Sequence, residues 1–105
     1  MAKQEKAVPV IFRAFKKSCD VIALFPTVVG ECHGTGSVGS YMHVGQHGAA
    51  DLAIIGSGQT RATRPSEHAA LAKELRQIGY RLKVTKRVTP TMRREFRANL
   101  QACRR

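Results

Sequence analysis

The distribution of positive charge divides this chain into a cation-free middle and two basic ends. Residues 18–60 contain three acids and no Lys or Arg, although the whole chain of 105 residues carries a net charge of +11. Residues 1–17 contain five Lys or Arg and one acid, whereas residues 61–105 contain 13 Lys or Arg and three acids. Such asymmetry indicates a neutral or buried side and a side that faces a polyanion. We expect residues 18–60 to supply most of a β-sheet and a surface for protein contacts.

Three segments near the N-terminus are typical of β-strands. Val8–Lys17 is rich in β-branched and aromatic residues. A polar turn follows, and Val21–Phe25 is predicted as a buried strand that pairs with the first in a hairpin. Ser40–His47 alternates between its two faces and is predicted as a third strand. Asp51–Ile55 fits either a fourth short strand or one helical turn, and its periodicity does not decide between them.

The C-terminal part of the chain predicts two helices. In the first, Ser66 is the expected N-cap, Gly79 is the expected C-terminal stop, and three apolar residues share one face: Leu71, Leu75 and Ile78. The second helix is expected to begin with Thr89 as its cap and Pro90 in its first turn. Its apolar stripe consists of Met92, Phe96, Leu100 and Cys103.

A short strand is predicted between the two helices. Tyr80–Val84 alternates cleanly, so Tyr80, Leu82 and Val84 are expected to point inward and Arg81 and Lys83 outward.

Together these segments predict one α+β domain over residues 1–105. Its antiparallel-rich sheet has four to five strands and two helices in the order β-β-β-(β)-α-β-α, with both helices covering one face. Residues 1–7 are predicted as a flexible N-terminus, and residues 30–39 and 56–65 as loops. The length excludes a TIM barrel, which needs about 250 residues.

Cysteine usage and hydropathy bear on the compartment. Cys19, Cys32 and Cys103 form an odd set without a Cys-x-x-Cys pair, so we expect free thiols in a reducing cytoplasm. The N-terminus lacks the uninterrupted apolar region of a secretory signal. The longest apolar run, Val21–Val29, is shorter than the stretch of about 20 residues that spans a bilayer, and we expect no membrane association.

Several strings in the chain resemble a group of small basic bacterial proteins, some carried on plasmids or other mobile DNA. The strings are FRAFK (Phe12–Lys16), VIALFP (Val21–Pro26), YMHVGQHGAAD (Tyr41–Asp51), TRP (Thr63–Pro65) and IGYRLKVTKRVTP (Ile78–Pro90). The resemblance covers most of residues 8–90 and implies a bacterial cytoplasmic setting with a role related to nucleic acid. It carries over no activity, cofactor or catalytic residue.

Two motifs suggest ligand sites. Residues 34–39 match G-x-G-x-x-G, but a strand rather than a helix is expected to follow, so we interpret the motif as a flexible loop. Four residues have the right chemistry for zinc: Cys32, His33, His43 and His47. If His43 and His47 lay on one strand they would stand about 13 Å apart, too far to share an ion. We therefore predict no metal site and no cofactor.

The same histidines provide a catalytic alternative. His43 or His47 could serve as the general base of a small ribonuclease acting on an RNA 2′-hydroxyl, with arginines stabilising the developing charge. The competing interpretation is that both are structural or surface residues of a strand. We predict that the protein is not primarily an enzyme and keep the ribonuclease as the second hypothesis.

The basic C-terminal part carries the main functional prediction, which is phosphate-dominated binding to DNA or structured RNA. The expected contacts are Arg81, Lys83, Lys86, Arg87, Arg93, Arg94 and Arg97. The chain has no Trp, and its few aromatic residues occupy core-like positions, so neither base stacking nor base-specific readout is expected. The alternatives are a solvated cationic surface and an adaptor that binds an acidic protein partner.

Overall fold

The computed structural model describes residues 7–33, 36–42 and 47–104, which form six strands, two α-helices and one 3₁₀ helix. The strands are β1 (Val8–Phe15), β2 (Val21–Val29), β3 (Val38–Tyr41), β4 (His47–Ala50), β5 (Thr60–Ala62) and β6 (Leu82–Val84). The 3₁₀ helix is Leu52–Ile55, and the α-helices are α1 (Pro65–Ile78) and α2 (Pro90–Arg104). The fold is the predicted α+β class with an antiparallel-rich sheet.

Strand β1 pairs with three other strands of the sheet, in which the order is β4-β3-β2-β1-β5 and β6 also pairs with β1. The predicted hairpin is present, because β1 pairs antiparallel with β2 through the register Ile11↔Leu24. On its other edge β1 is shared by two short strands: parallel β6 pairs with residues 8–10 and antiparallel β5 pairs with residues 13–15. The sheet thus has one strand more than the upper number expected.

The helices lie on opposite faces of the sheet, which corrects the expectation that both cover one face. The first face of β1 and β2 packs through Val10, Phe12 and Phe25 against Leu71 and Leu75 of α1. The second face contains Ile11, Ile22 and Leu24, which are packed by residues of the 3₁₀ helix and by Phe96 of α2. The near-continuous apolar sequences of β1 and β2 follow from this arrangement, since both faces of each strand are buried.

The prediction of a third strand over Ser40–His47 is wrong, because this segment contains parts of two strands. β3 ends at Tyr41 and β4 begins at His47, and these two residues are paired antiparallel across the sheet. The chain therefore reverses direction between them, so the distance argument for two histidines on one strand does not apply. His43 lies outside the described residues.

The segment around Asp51–Ile55 adopts the helical alternative. Asp51 precedes the 3₁₀ helix, and its side chain accepts a hydrogen bond from the backbone N–H of Ala53 at 2.9 Å. The predicted loop at 56–65 contains the short strand β5, which sequence analysis did not anticipate. The three residues of β5 are too few to produce a recognisable alternating pattern.

Helix α1 begins earlier than predicted. Arg64 is its N-cap and Pro65 its first residue, so Ser66 is not the cap. The carboxylate of Glu67 accepts the backbone N–H of Arg64 at 2.8 Å, as the N3 residue of a capping box does. Gly79 ends the helix at φ +127°, as its position predicted. Leu71 and Leu75 are buried as expected.

Two of the residues expected to point inward are exposed. Ile78, at the last turn of α1, is 50% exposed, and Val84 of β6 is 45% exposed. Both lie at the ends of their elements, where the neighbouring element no longer covers them. Leu82 is partly buried and packs into the cluster on the α1 side of the sheet.

Helix α2 begins as the sequence indicated. Pro90 is its first residue, and the hydroxyl of Thr89 accepts the backbone N–H of Met92 at 3.2 Å. Met92 is buried, and Phe96 packs against the sheet. Asn99 donates from its amide to the carbonyl of Thr27 in β2 at 2.7 Å, and this hydrogen bond attaches the C-terminal half of the helix to the sheet. Neither α1 nor α2 combines the length and apolar character needed to cross a membrane.

The expectation of three free thiols is wrong for two of them. Cys32, in the β2–β3 connection, forms a disulfide with Cys103 in the last turn of α2. Arg104 also donates to the backbone carbonyl of Cys32 at 2.7 Å. Cys19 is free and exposed. The C-terminal end of α2 is therefore attached covalently to the β2–β3 connection.

Candidate nucleic-acid interface

The basic segment, residues 81–97, carries all seven cations proposed as phosphate contacts. It combines a strand, a connection and the first half of a helix: β6 contributes Lys83, and α2 contributes three arginines. Each of the seven is exposed: Arg81, Lys83, Lys86, Arg87, Arg93, Arg94 and Arg97. Glu95 is the only acid in this stretch of sequence.

The arginines of α2 and one residue of β6 lie on the same side of the sheet. Leu82 packs on the α1 side. Because neighbouring residues of a strand face opposite ways, Lys83 is turned toward the side covered by α2. Arg93 and Arg97 are one helical turn apart and line the same cavity, on either side of Phe96. Lys83, Arg93 and Arg97 thus lie on the α2 side of the sheet, and the two arginines line one cavity.

The remaining cations of the set are spread more widely. Lys86 lines a different and much smaller cavity, beside the outer edge of β1. Arg94 donates to the hydroxyl of Thr91 on its own helix at 3.3 Å and does not line the Arg93–Arg97 cavity. Arg87 lies in the connection that leads into α2. The seven cations thus lie on a broad exposed surface, and only Arg93 and Arg97 among them line the cavity beside Phe96.

Most of the basic segment has no neutralising carboxylate. Within residues 7–33, 36–42 and 47–104, no ion pair involves Lys83, Lys86, Arg87, Arg93 or Arg97. A contrasting case is Arg61, whose guanidinium lies 2.6 Å from the carboxylate of Glu67. The hydrogen bond from Arg61 lowers the pKa of Glu67 to about 2, and the backbone N–H of Arg64 adds to the effect.

Arg13 shows that a basic residue in this chain can also be structural. Its guanidinium donates to the carbonyl of Ile55 at 3.0 Å and to the carbonyl of Thr60 at 2.9 Å, while its Nε donates to the Thr60 hydroxyl. Burial lowers the pKa of Arg13. The residue holds the 3₁₀ helix and β5 against β1 and is not a candidate contact.

A cluster of aromatic and titratable side chains surrounds His47 on the α1 side of the sheet. The ring of His47, which is exposed, contacts the edge of Tyr41 with 4.6 Å between centroids. The phenol of Tyr80 lies 3.4 Å from Nε2 of His47. Tyr41 is fully buried and donates to the carboxylate of Glu74 on α1. The sequence indicated His47 but not Tyr41, Glu74 and Tyr80, which come from β3, α1 and the α1–β6 connection.

The zinc candidates do not form a cluster in the described part of the chain. The sulfur of Cys32 is bonded to Cys103, so it is not a thiolate in this form. His33 is exposed next to it, and His47 lies at the start of β4. Among the described residues, no three His, Cys, Asp or Glu side chains are grouped closely enough to hold a metal ion.

The glycine-rich motif at 34–39 leads into a strand. Gly34 and Thr35 lie outside the described residues, and the last two positions of the motif belong to β3. A dinucleotide-binding motif requires a helix at this place, whose N-terminus meets the pyrophosphate. Gly36 and Ser37 belong to the β2–β3 connection, whereas Val38 and Gly39 lie in β3 and correct the prediction of a loop that continues to residue 39.

Comparison of the chain with protein-family models, with curated proteins and with solved structures finds no match in any of the three. The resemblance to small bacterial proteins of mobile DNA stays a prediction.

Proposed function

We propose that this protein binds nucleic acid through phosphate contacts made by the basic segment, residues 81–97. The observation that carries the proposal is the exposure of all seven cations in a stretch of sequence that contains a single acid. Like charges on one exposed surface repel one another, and a polyanion reduces that repulsion. A surface kept for solubility alone would be expected to mix both signs of charge.

The contact is proposed to be dominated by phosphates, with little stacking along an extended strand. Phe12, Phe25 and Tyr41 are buried in the core, so they offer no platform for successive bases. Cations on an irregular exposed surface suit the backbone of a duplex or a structured RNA. We propose the bacterial cytoplasm as the location on the resemblance alone, since the disulfide between Cys32 and Cys103 removes the argument from free thiols.

The direct test is a fluorescence anisotropy titration with duplex DNA, duplex RNA and single strands at several salt concentrations. If all seven cations neutralise phosphates, the slope of log K against log salt is about −6 for duplex DNA, from roughly −0.9 for each contact. Absence of binding to every nucleic acid at low salt would overturn the proposal.

A pair of charge-matched variants tests the position of the interface. Arg93→Ala with Arg97→Ala removes two cations from the α2 side, and the salt slope should become less steep by about 2. Lys73→Ala with Arg76→Ala removes two exposed cations from α1, on the opposite face, and should leave the slope nearly unchanged. An equal change in the salt slope for the two double variants would mean that binding depends on the net charge alone and not on the position of the cations.

The same titration separates nucleic acid from an acidic protein partner. Polyglutamate offers carboxylates at high density without phosphates or bases. Binding to polyglutamate together with no binding to any nucleic acid would overturn the proposal and favour the adaptor alternative.

Ribonuclease activity is the second candidate function, and the specific observation that favours it is the contact between His47 and Tyr80. In this mechanism the neutral imidazole of His47 takes the proton of an RNA 2′-hydroxyl. The 2′ oxygen bonds to phosphorus, the P–O5′ bond breaks, and the 5′ oxygen leaves with the proton of the Tyr80 phenol. His47 then returns its proton to Tyr80, which restores both groups and leaves a 2′,3′-cyclic phosphate.

The ribonuclease hypothesis is tested with labelled RNA and two variants at this pair. His47→Ala and Tyr80→Phe should each reduce cleavage by at least about 100-fold, the range expected for loss of a general acid or base. His33→Ala, at an exposed histidine outside the cluster, is the matched control. No cleavage by the unaltered protein, or cleavage that survives His47→Ala, would reject this candidate.

A further inference from the structure

A cavity of about 250 Å³ lies under the α2 end of the basic segment. Its apolar lining comes from four parts of the fold: Pro26 and Val38 of the sheet, Leu52 of the 3₁₀ helix, Val88, and Phe96 of α2. The volume is slightly below the range of roughly 300–1,000 Å³ that holds drug-sized ligands. Space of this size suits one planar ring with its substituents.

Charges of both signs border the cavity without neutralising each other. Arg93 and Arg97 line it from α2, and Asp51 lines it from the start of the 3₁₀ helix. Within the described ranges, Asp51 forms no ion pair with either arginine. One carboxylate oxygen of Asp51 accepts the N–H of Ala53, while the other takes no hydrogen bond from a described residue. The cavity therefore presents two guanidiniums and one available carboxylate oxygen around an apolar floor.

We infer that this cavity binds one unpaired nucleotide of the nucleic acid. The base lies on the apolar floor beside Phe96, the phosphate accepts hydrogen bonds from Arg93 and Arg97, and Asp51 accepts one from an amino group of the base. Inorganic phosphate alone would leave the floor uncovered, and an apolar ligand would leave two guanidiniums and a carboxylate without partners. A nucleotide supplies all three kinds of group in one ligand.

The inference rests on the proposed function and makes it more specific. Only an unpaired or extruded base can enter the cavity, which is a common basis for selective recognition of RNA loops and ends. Asp51 adds a preference among bases, because a carboxylate accepts hydrogen bonds from amino groups such as N4 of cytosine. Uracil has no amino group and should bind more weakly than cytosine.

The test uses the full chain and mononucleotides, with binding followed by calorimetry and by NMR shifts. CMP should bind more tightly than UMP and ribose 5-phosphate by at least about tenfold, the discrimination expected of one good polar contact to a base. Asp51→Asn should remove the difference between CMP and UMP, since an amide still caps the 3₁₀ helix but presents a donor as well. Equal affinities of the unaltered protein for CMP and ribose 5-phosphate would overturn the inference.

Further variants separate the cavity from the surrounding charge. Leu52→Trp fills the floor and should abolish CMP binding while leaving duplex DNA binding unchanged. Arg97→Ala should weaken CMP binding at least about tenfold, the effect of losing a charge-assisted hydrogen bond. Arg76→Ala is the matched control, because Arg76 is the same residue type, is exposed on α1 and does not line the cavity. Equal effects of the two arginine substitutions on CMP would overturn the inference.

The failures of the two proposals are distinguishable. Binding of duplex DNA with the expected salt slope, together with no binding of CMP, would reject the nucleotide cavity and leave the phosphate interface intact. Binding of CMP that Leu52→Trp abolishes, together with no binding of any polynucleotide, would support the cavity and reject the interface.

Discussion

The disulfide between Cys32 and Cys103 closes a loop over most of the chain, and its removal should have a large effect on stability. The two cysteines are 71 residues apart in sequence. In the chain-entropy account, a loop of that length restricts the unfolded chain enough to contribute about 4 kcal/mol at 25 °C. Such a contribution is a large fraction of the roughly 5–15 kcal/mol that separates the folded and unfolded states of a small domain.

The folded state itself should change little when the bond is absent. Helix α2 is also held by the buried Met92, by Phe96 against the sheet and by the hydrogen bond from Asn99 to Thr27. We therefore expect the double substitution Cys32→Ser with Cys103→Ser to leave the helical content unchanged. The loss of stability arises in the unfolded chain, which gains freedom.

The assay is urea unfolding followed by circular dichroism, with the oxidised protein, the reduced protein and the double variant compared. With a urea slope of about 2 kcal/mol per molar, a loss of about 4 kcal/mol lowers the midpoint by about 2 M. Cys19→Ser is the control, because Cys19 is exposed and unbonded, and it should not move the midpoint. Thiol titration of the denatured oxidised protein should detect Cys19 alone.

Two results would refute this reasoning. Reactive thiols at Cys32 and Cys103 in the oxidised protein would show that the bond does not form. Equal midpoints for the oxidised protein and the double variant would show that closing the long loop contributes nothing. A loss of helical signal in the double variant would instead contradict the claim that the other contacts suffice to hold α2.

Three further predictions concern residues in and around the sheet. Burial lowers the pKa of His68, so protonation favours the unfolded chain. The free energy of unfolding should therefore fall as the pH drops below about 6.5, and His68→Gln should flatten that dependence in melting curves. An unchanged pH dependence in the variant would contradict this assignment to His68. A Cβ at Gly30 would lie 2.6 Å from a backbone carbonyl oxygen, so Gly30→Ala should lower the free energy of unfolding by about 1–3 kcal/mol. Gly56→Ala, in open space, is its control, and equal urea midpoints for the two variants would contradict the steric argument. Arg13→Lys keeps the charge but cannot reproduce the two guanidinium contacts to the carbonyls of Ile55 and Thr60. The free energy of unfolding should fall by about 1–2 kcal/mol in the same assay. An unchanged urea midpoint would mean that those contacts are replaceable.

Local chemistry predicted the elements whose causes are local. Thr89 followed by Pro90 indicated the start of α2, and Gly79 indicated the end of α1, because cap geometry depends on a few neighbouring residues. The start of α1 was misassigned because Ser66 is a good capping residue by type, whereas Pro65 and Glu67 together place the cap at Arg64. A hydroxyl residue at one position and a Glu three residues after another position each indicate a possible start of the helix, and residue type alone does not rank the two positions.

The side of the sheet that each helix covers was beyond local chemistry. Leu71 and Leu75 in α1, and Met92 and Phe96 in α2, show that each helix buries a stripe, but a stripe does not specify which face of the sheet it meets. The signal that existed was the near-continuous apolar character of β2, which indicates burial on both faces and so requires cover on both sides.

The candidate site likewise has a part that the local sequence predicts and a part that depends on distant contacts. The exposure of Lys83, Arg93 and Arg97 was predictable, because the basic segment is contiguous and its alternation and helical period are local. The cavity was not predictable, since Asp51 reaches it only through the turns that bring the 3₁₀ helix beneath α2. The disulfide was missed because an odd number of cysteines without a pair motif indicates free thiols, and only the fold brings Cys32 and Cys103 together.

The shared outer edge of β1 has a consequence for how the chain is made. Val8 pairs with Leu82, so the chain must be synthesised through β6 before this part of β1 has a partner on that side. Pairing between such distant segments closes slowly, and an apolar strand with an open edge is a template for aggregation in the meantime. A chain interrupted before β6 therefore leaves residues 8–10 of β1 unpaired on that edge. Quality control in the cell should recognise such fragments far more readily than the completed protein.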